Sequence, residues 1–177
     1  SLQLTHNSDN TSWIAVDTVQ PGDNGSASFR IDYQDLAGNY GTPVDHQSHT
    51  SIPGSVVSVM MDTQSPTLSS LNISSDNIYD PSLAKLGDNL TLSFVSDEAL
   101  MIPTGELAGR LGLNAVDNSS ATDWDFTTEV LQATPEDNVS FRFDISDLAG
   151  NVVTGFNSTL NNSSVRVDKT PPLVSGI

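Results

Sequence analysis

The sequence predicts an all-β chain built from tandem antiparallel β-sandwiches, on three observations. One stretch occurs twice, as Ser28-Phe29-Arg30-Ile31-Asp32-Tyr33-Gln34-Asp35-Leu36-Ala37-Gly38-Asn39 and as Ser140-Phe141-Arg142-Phe143-Asp144-Ile145-Ser146-Asp147-Leu148-Ala149-Gly150-Asn151. Apolar and polar residues alternate there and in other runs with the period of two of a half-buried strand. Clusters of Gly, Pro, Asn and Asp separate those runs and leave no stretch long enough for more than a turn of helix. A motif kept twice at this level of identity marks a tandem β repeat.

In the N-terminal copy Leu2 and Leu4, a polar stretch and Trp13 mirror Leu111, Leu113, a similar stretch and Trp124. The repeated strand follows, with Phe29, Ile31 and Tyr33 on one face against Arg30, Asp32 and Gln34 on the other. Asp-Leu-Ala-Gly-Asn then supplies a glycine for a positive φ and flanking side chains that bond the local backbone, the ingredients of a hairpin. A polar loop through Pro43 and Pro53 leads to Val57, Val59 and Met61, read as the last strand of the unit. Asp62-Thr63-Gln64-Ser65-Pro66 closes it, and Asp168-Lys169-Thr170-Pro171-Pro172 is its counterpart. The hairpins repeat at about 112 residues and the Asp-to-Pro segments at about 106, a domain-sized period whose mismatch loops absorb.

The reading therefore divides the chain into 1–62, the later part of one repeat; 63–168, a complete repeat; and 169–177, the start of another. In the complete repeat Leu68 to Ile73 opens, Leu90, Leu92 and Phe94 alternate next, Leu107 to Leu113 is weaker, and Trp124, Phe126, Thr128 and Val130 alternate again. The hairpin strand and Val165 to Val167 bring the expected count to about seven. Ser82 to Leu86 is the one helix-tolerant stretch, and its length allows a turn at most. The expected core is Phe94, Trp124, Phe141, Phe143, Ile145 and Val167. Residues 1–62 lack the two strands that should open their sandwich, so their apolar face is expected to need strands from upstream in the same polypeptide or from another copy.

Composition narrows the partners. The chain has 177 residues, a formal net charge of −16, six Lys and Arg in total and no cysteine. Disulfides and thiolate metal sites are excluded. Nucleic-acid binding needs clustered basic residues and is not expected; cations are the favoured partners of so acidic a surface. No run approaches the roughly 20 apolar residues of a membrane-spanning helix. Any targeting signal or anchor is expected outside this stretch.

The order Pro66, Leu86-Gly87-Asp88-Asn89-Leu90-Thr91-Leu92, Ser96-Asp97-Glu98, Trp124, Asp147-Leu148-Ala149-Gly150-Asn151 and Val167-Asp168-Lys169-Thr170-Pro171 resembles the immunoglobulin-like repeats of giant bacterial and archaeal surface proteins. The resemblance covers the whole second unit and the later half of the first. It implies sandwiches of roughly a hundred residues strung into rods, in adhesins and cell-surface coats. The sequence departs from the commonest pattern in two insertions, Tyr40 to Ser55 and Val152 to Ser163, which read as contact surfaces.

Nine of the fourteen asparagines begin Asn-x-Ser/Thr triplets: Asn10, Asn24, Asn72, Asn89, Asn118, Asn138, Asn157, Asn161 and Asn162. Chance would place about three, so the triplet is enriched. Turn composition alone produces part of that enrichment. N-glycosylation of an exterior surface is the sharper expectation, and within the resembled family it fits a surface-layer subunit better than a bacterial adhesin stalk.

The same resemblance suggests a calcium site. In such a sandwich the incoming linker, the loop between the second and third strands and the loop between the last two lie at one end, which would gather Asp62, Asp97, Glu98, Asp147 and Asn151. Three carboxylates, an amide oxygen and backbone carbonyls would supply the six to eight hard oxygens that Ca²⁺ takes, between successive units. The competing expectation is that Asp147 and Asn151 cap their own turn and Asp62 is solvated.

Enzymatic chemistry is not expected. Asp45-His46-Gln47-Ser48-His49 has metal-ligand types but sits in a polar insertion with no strand to hold it and no counterpart in the second unit. The carboxylate pairs Asp97-Glu98 and Glu136-Asp137 are ordinary in so acidic a chain. Trp13 and Trp124 occupy equivalent repeat positions and read as sheet or core residues rather than sugar-stacking platforms. The functional expectation is a structural segment of an extracellular cell-surface protein, most naturally an N-glycosylated surface-layer subunit in contact with neighbouring repeats and assembling with its own kind. An adhesin stalk and an accessory module of a secreted carbohydrate-active enzyme are the alternatives.

Overall fold

A computed structural model describes residues 3–46 and 59–175, so Leu2, His49, Pro53, Val57 and the final two residues lie outside the described residues. The described chain is all-β and divides into two compact units, Ser1–Gln64 and Ser65–Ile177. Each is treated by itself.

The first unit contains β1 (Gln3–His6), β2 (Trp13–Val16), β3 (Gly25–Ser26), β4 (Arg30–Ile31), β5 (Val44–Asp45) and β6 (Met60–Met61). They form three antiparallel pairs, β1 with β2, β3 with β6 and β4 with β5. The alternation of Phe29, Ile31 and Tyr33 continues through β4, yet all three side chains are exposed, because no second sheet lies over them among the described residues.

The second unit contains β7 (Leu68–Ser75), β8 (Leu83–Ala84), β9 (Asn89–Ser96), β10 (Thr104–Leu107), β11 (Arg110–Asn114), β12 (Val116–Ser119), β13 (Asp123–Glu129), β14 (Phe141–Ser146), β15 (Val152–Phe156) and β16 (Arg166–Val167). Two four-stranded sheets result, ordered β12-β13-β9-β7 and β11-β10-β14-β15, with every neighbour antiparallel. In β9, burial alternates strictly, with Leu90, Leu92 and Phe94 inward, and β14 does the same with Phe141, Phe143 and Ile145. The inner faces meet in a cluster of rings: Phe143 stacks on Phe94 of the opposite sheet at 4.7 Å and on Phe156 of its own at 5.2 Å. The unit is thus a sandwich whose six expected core residues are all buried. Among the described residues no buried side-chain nitrogen or oxygen lacks a hydrogen-bond partner.

Three elements differ from the sequence expectation. Val152–Phe156, expected within an insertion, is the return strand of the repeated hairpin, with Val153 and Phe156 half-buried; only the residues after it form loop. Leu107 to Leu113 is two strands joined by a tight turn at Ala108 and Gly109, both with positive φ. Leu83–Ala84, in the helix-tolerant stretch, pairs in parallel with Arg166–Val167 instead of coiling, because Ala84 fills a core position and Ser75 donates its hydroxyl to the Leu83 carbonyl.

The units share their internal register. Ile31 faces Val44 in the first as Phe143 faces Phe156 in the second, and the Gln34–Tyr40 bridge has the place of the Ser146–Val152 pair. Near the unit's end Ser26 pairs with Met60 as Asn138 bridges Arg166, and the Ala27 amide donates to Val59 O at 2.7 Å as Val139 does to Val165 O at 2.8 Å. The tryptophans match too: Trp13 Nε1 donates to Asn10 O and Trp124 Nε1 to Ala121 O, each carbonyl three residues back on a residue with φ near +56°.

Candidate functional site

The alternation that buries Phe141, Phe143 and Ile145 places the next in-phase residue, Asp147, inside as well, where it is 1 % exposed. A buried carboxylate needs donors, and the turn supplies them. Oδ1 accepts from the amides of Gly150 at 2.7 Å and Asn151 at 2.8 Å, and Oδ2 accepts from Asn151 Nδ2 at 2.7 Å. Gly150, with φ of 95°, turns the chain so that these N–H groups converge. Burial alone would push the Asp147 carboxyl up; the Asn151 side chain and the turn amides outweigh it and hold it below its ordinary range. The first unit builds the same turn, with Asp35 accepting from Ala37 N, Asn39 N and Asn39 Nδ2 at 2.8 to 2.9 Å, but there it is exposed.

Against this turn runs the loop that follows β9. Leu100 bridges Asp147, and the Met101 amide donates to Ser146 O at 2.9 Å. A carboxylate oxygen of half-buried Glu98 comes within 4.8 Å of one of Asp147. Asp97, by contrast, uses both oxygens on Thr67, accepting from its amide at 2.7 Å and its hydroxyl at 2.8 Å, which lowers its pKa and anchors the start of β7. Asp62 belongs to the other unit, where its Oδ1 accepts from Gln64 N at 3.0 Å; Asp168 makes the same turn with Thr170 N, also at 3.0 Å.

Of the five expected calcium ligands, Glu98, Asp147 and Asn151 therefore lie together at one end of the second unit. Their chemistry suits a hard cation only in part. A carboxylate has about four lone-pair positions, and Asp147 gives three to the N–H groups of Gly150 and Asn151 while the Ala149 amide bonds it too, so little of it is left for a metal. Ca²⁺ needs six to eight oxygens, so Glu98 would have to be the principal ligand, with backbone carbonyls and water completing the set.

A second buried carboxylate, Asp88, is not among the site residues expected from the sequence. It accepts from Asn77 Nδ2 at 2.7 Å, Lys85 N at 2.9 Å and Lys85 Nζ at 2.6 Å, and these bonds overcome its burial to keep its pKa low. One available signal was Gly87, whose φ of 88° makes the turn that gathers those donors. Next to it, Asp76 accepts from the amide and the side-chain Nδ2 of Asn89 at 2.7 and 2.8 Å.

Seven of the nine triplet asparagines, Asn10, Asn24, Asn118, Asn138, Asn157, Asn161 and Asn162, are exposed outside the two long strands of the β7–β9 pair. Asn72 lies half-buried in the middle of β7, and Asn89 opens β9 with its Nδ2 engaged by Asp76. His46 packs its ring edge-on to Phe29, 6.3 Å between centroids, and Asp45 pairs with Arg30 in the β4–β5 ladder. Its expected companion His49 lies outside the described residues. Compared with family models, curated proteins and solved structures, the chain matches none.

Proposed function

We propose that this chain is a structural segment of an extracellular cell-surface protein, made of tandem immunoglobulin-like sandwich units, and that its best assignment is an N-glycosylated surface-layer subunit. The observation that carries the reading is the register the units share, from the hairpin turns to the indole bonds. The sheet order β12-β13-β9-β7 against β11-β10-β14-β15 supports the immunoglobulin-like part, since it equals D-E-B-A against C′-C-F-G. Loops fixed by their own Asx turns, with seven exposed triplets, support a surface meant to carry sugar and to meet neighbouring copies.

Calcium at the Glu98 and Asp147 end is a subordinate part of the proposal. Titration calorimetry should give a dissociation constant of roughly 10⁻⁴ to 10⁻³ M, as in extracellular modules, and Glu98→Gln should abolish the heat. Absence of heat at 10⁻² M calcium, on the order of ten times that range, removes calcium and leaves the structural reading standing.

The functional test is glycopeptide mass spectrometry on material from the native source. Sugar is expected on several of Asn10, Asn118, Asn138, Asn157 and Asn161, with Asn72 bare because its side chain is half-buried in a strand. Unmodified peptides at every triplet would return the adhesin stalk to first place.

A further inference from the structure

The face that the first unit leaves open is specified by the second. Trp13, Ile31 and Tyr33 are 56, 51 and 52 % exposed, whereas their register equivalents Trp124, Phe143 and Ile145 are 2, 2 and 1 % exposed. The cover in the second unit consists of identifiable strands. β9 pairs along β13 with Phe94 opposite Trp124 and Leu92 opposite Phe126, and β10 pairs along β14 with Gly105 opposite Phe143. In the first unit the equivalent strand edges, the outer edge of β2 and one edge of β4, carry no partner among the described residues.

We propose that the first unit is an acceptor for an opening half-unit with the chemistry of residues 65–113. That occupant adds one antiparallel strand to β2, with an aromatic residue opposite Trp13, and one to β4, with a glycine or other small residue opposite Ile31. Its alternate apolar residues close over the exposed face. Two unpaired edges and one apolar face must be satisfied together, which a lone strand or a flat apolar ligand does not achieve. In a second intact copy, residues 65–113 are already engaged along that copy's own β13 and β14, so an intact copy is not the occupant. The inference rests on the repeat reading of the preceding section.

The test fuses a second copy of residues 65–113 directly ahead of Gln3 in the full chain, the junction that the His6–Trp13 and Asp117–Trp124 pairings align. The two indole N–H signals are then followed by NMR hydrogen exchange. In the parent chain Trp13 should exchange freely and Trp124 slowly. Fusion should slow Trp13 by about a hundredfold or more, the protection of a cooperatively closed core, while Trp124 keeps its rate and reports that the second unit remains folded. Phe94→Asp in the added copy alone should return Trp13 to the parent rate. Free exchange of Trp13 in the fusion, with Trp124 protected, would overturn the proposal. So would a Trp13 already protected in the parent, and protection that rises with protein concentration would name a second copy as the occupant instead. Either failure would leave the glycopeptide result untouched, so a wrong occupant and a wrong function are told apart.

Discussion

At the level of single residues, one buried carboxylate shows how a repeated motif acquires two energetic roles. Asp147 and Asp35 make the same two bonds to Asn151 and Asn39 and a third to a neighbouring turn amide, Gly150 N in one and Ala37 N in the other, but only Asp147 is enclosed. Asp147→Asn keeps the shape while setting an amide N–H₂ against Asn151 Nδ2 or against the turn amides, donor against donor. We expect a loss of about 1 to 3 kcal/mol at pH 7 by denaturant unfolding, and a smaller loss for Asp35→Asn on the surface. The pH dependence follows from the direction of the shift. The folded pKa of Asp147 lies below the ordinary 3.8, so its charged form stabilises the fold above about pH 4, and that contribution is lost as pH falls through the folded value. The gap between wild type and Asp147→Asn should therefore narrow on acidification below about pH 4, and an unchanged gap would show the carboxylate to be unshifted. The turn itself was legible in the sequence because Asp, Gly and Asn fall at fixed offsets twice. Burial of Asp147 follows from continuing the alternation of β14 one step beyond its end, and that of Asp88 from continuing the alternation of Leu90, Leu92 and Phe94 one step before the start of β9.

Strands follow the same division. β9, β13 and β14 are legible because their alternation extends over six or more residues, long enough to outweigh chance. β8 and β15 are not: β8 has only two residues, and β15 carries Gly155 at φ of 86°, which breaks the alternation between Val153 and Phe156, whereas β16, equally short, is legible from the apolar Val165 and Val167 that flank Arg166. β10 gives a sharper test of the packing between strands. A Cβ on Gly105 would lie 2.6 Å from Phe143 Cβ and 2.8 Å from Arg142 O, both on the adjacent strand, where neither atom moves without the sheet. Gly105→Ala should thus cost about 1 to 3 kcal/mol even though alanine is small and apolar, measured by thermal or chemical unfolding. A neutral substitution would mean that β10 stands farther from β14 than the ladder of four residue pairs from Thr104 to Leu107 requires.

For the molecule as a whole, two units of different completeness carry one pattern of pairings, and that is the central claim. The second occurrence of Asp-Leu-Ala-Gly-Asn made the shared hairpin turn legible, while the matching of Ser26–Met60 with Asn138–Arg166 was hidden because those residues share no identity and only the backbone pairing is alike. The most direct measurement is of scalar couplings through hydrogen bonds by NMR on the labelled chain, at Ala27 to Val59 and its equivalent Val139 to Val165, and at Gly41 to Tyr33, whose register equivalents Val153 and Ile145 pair in the β14–β15 ladder. We expect couplings in both units at these equivalent positions, weaker in the first where exposed pairs open more often. Couplings in the second unit with none, or with a shifted register, in the first would contradict the account, because the two units would then share a sequence motif without sharing a fold.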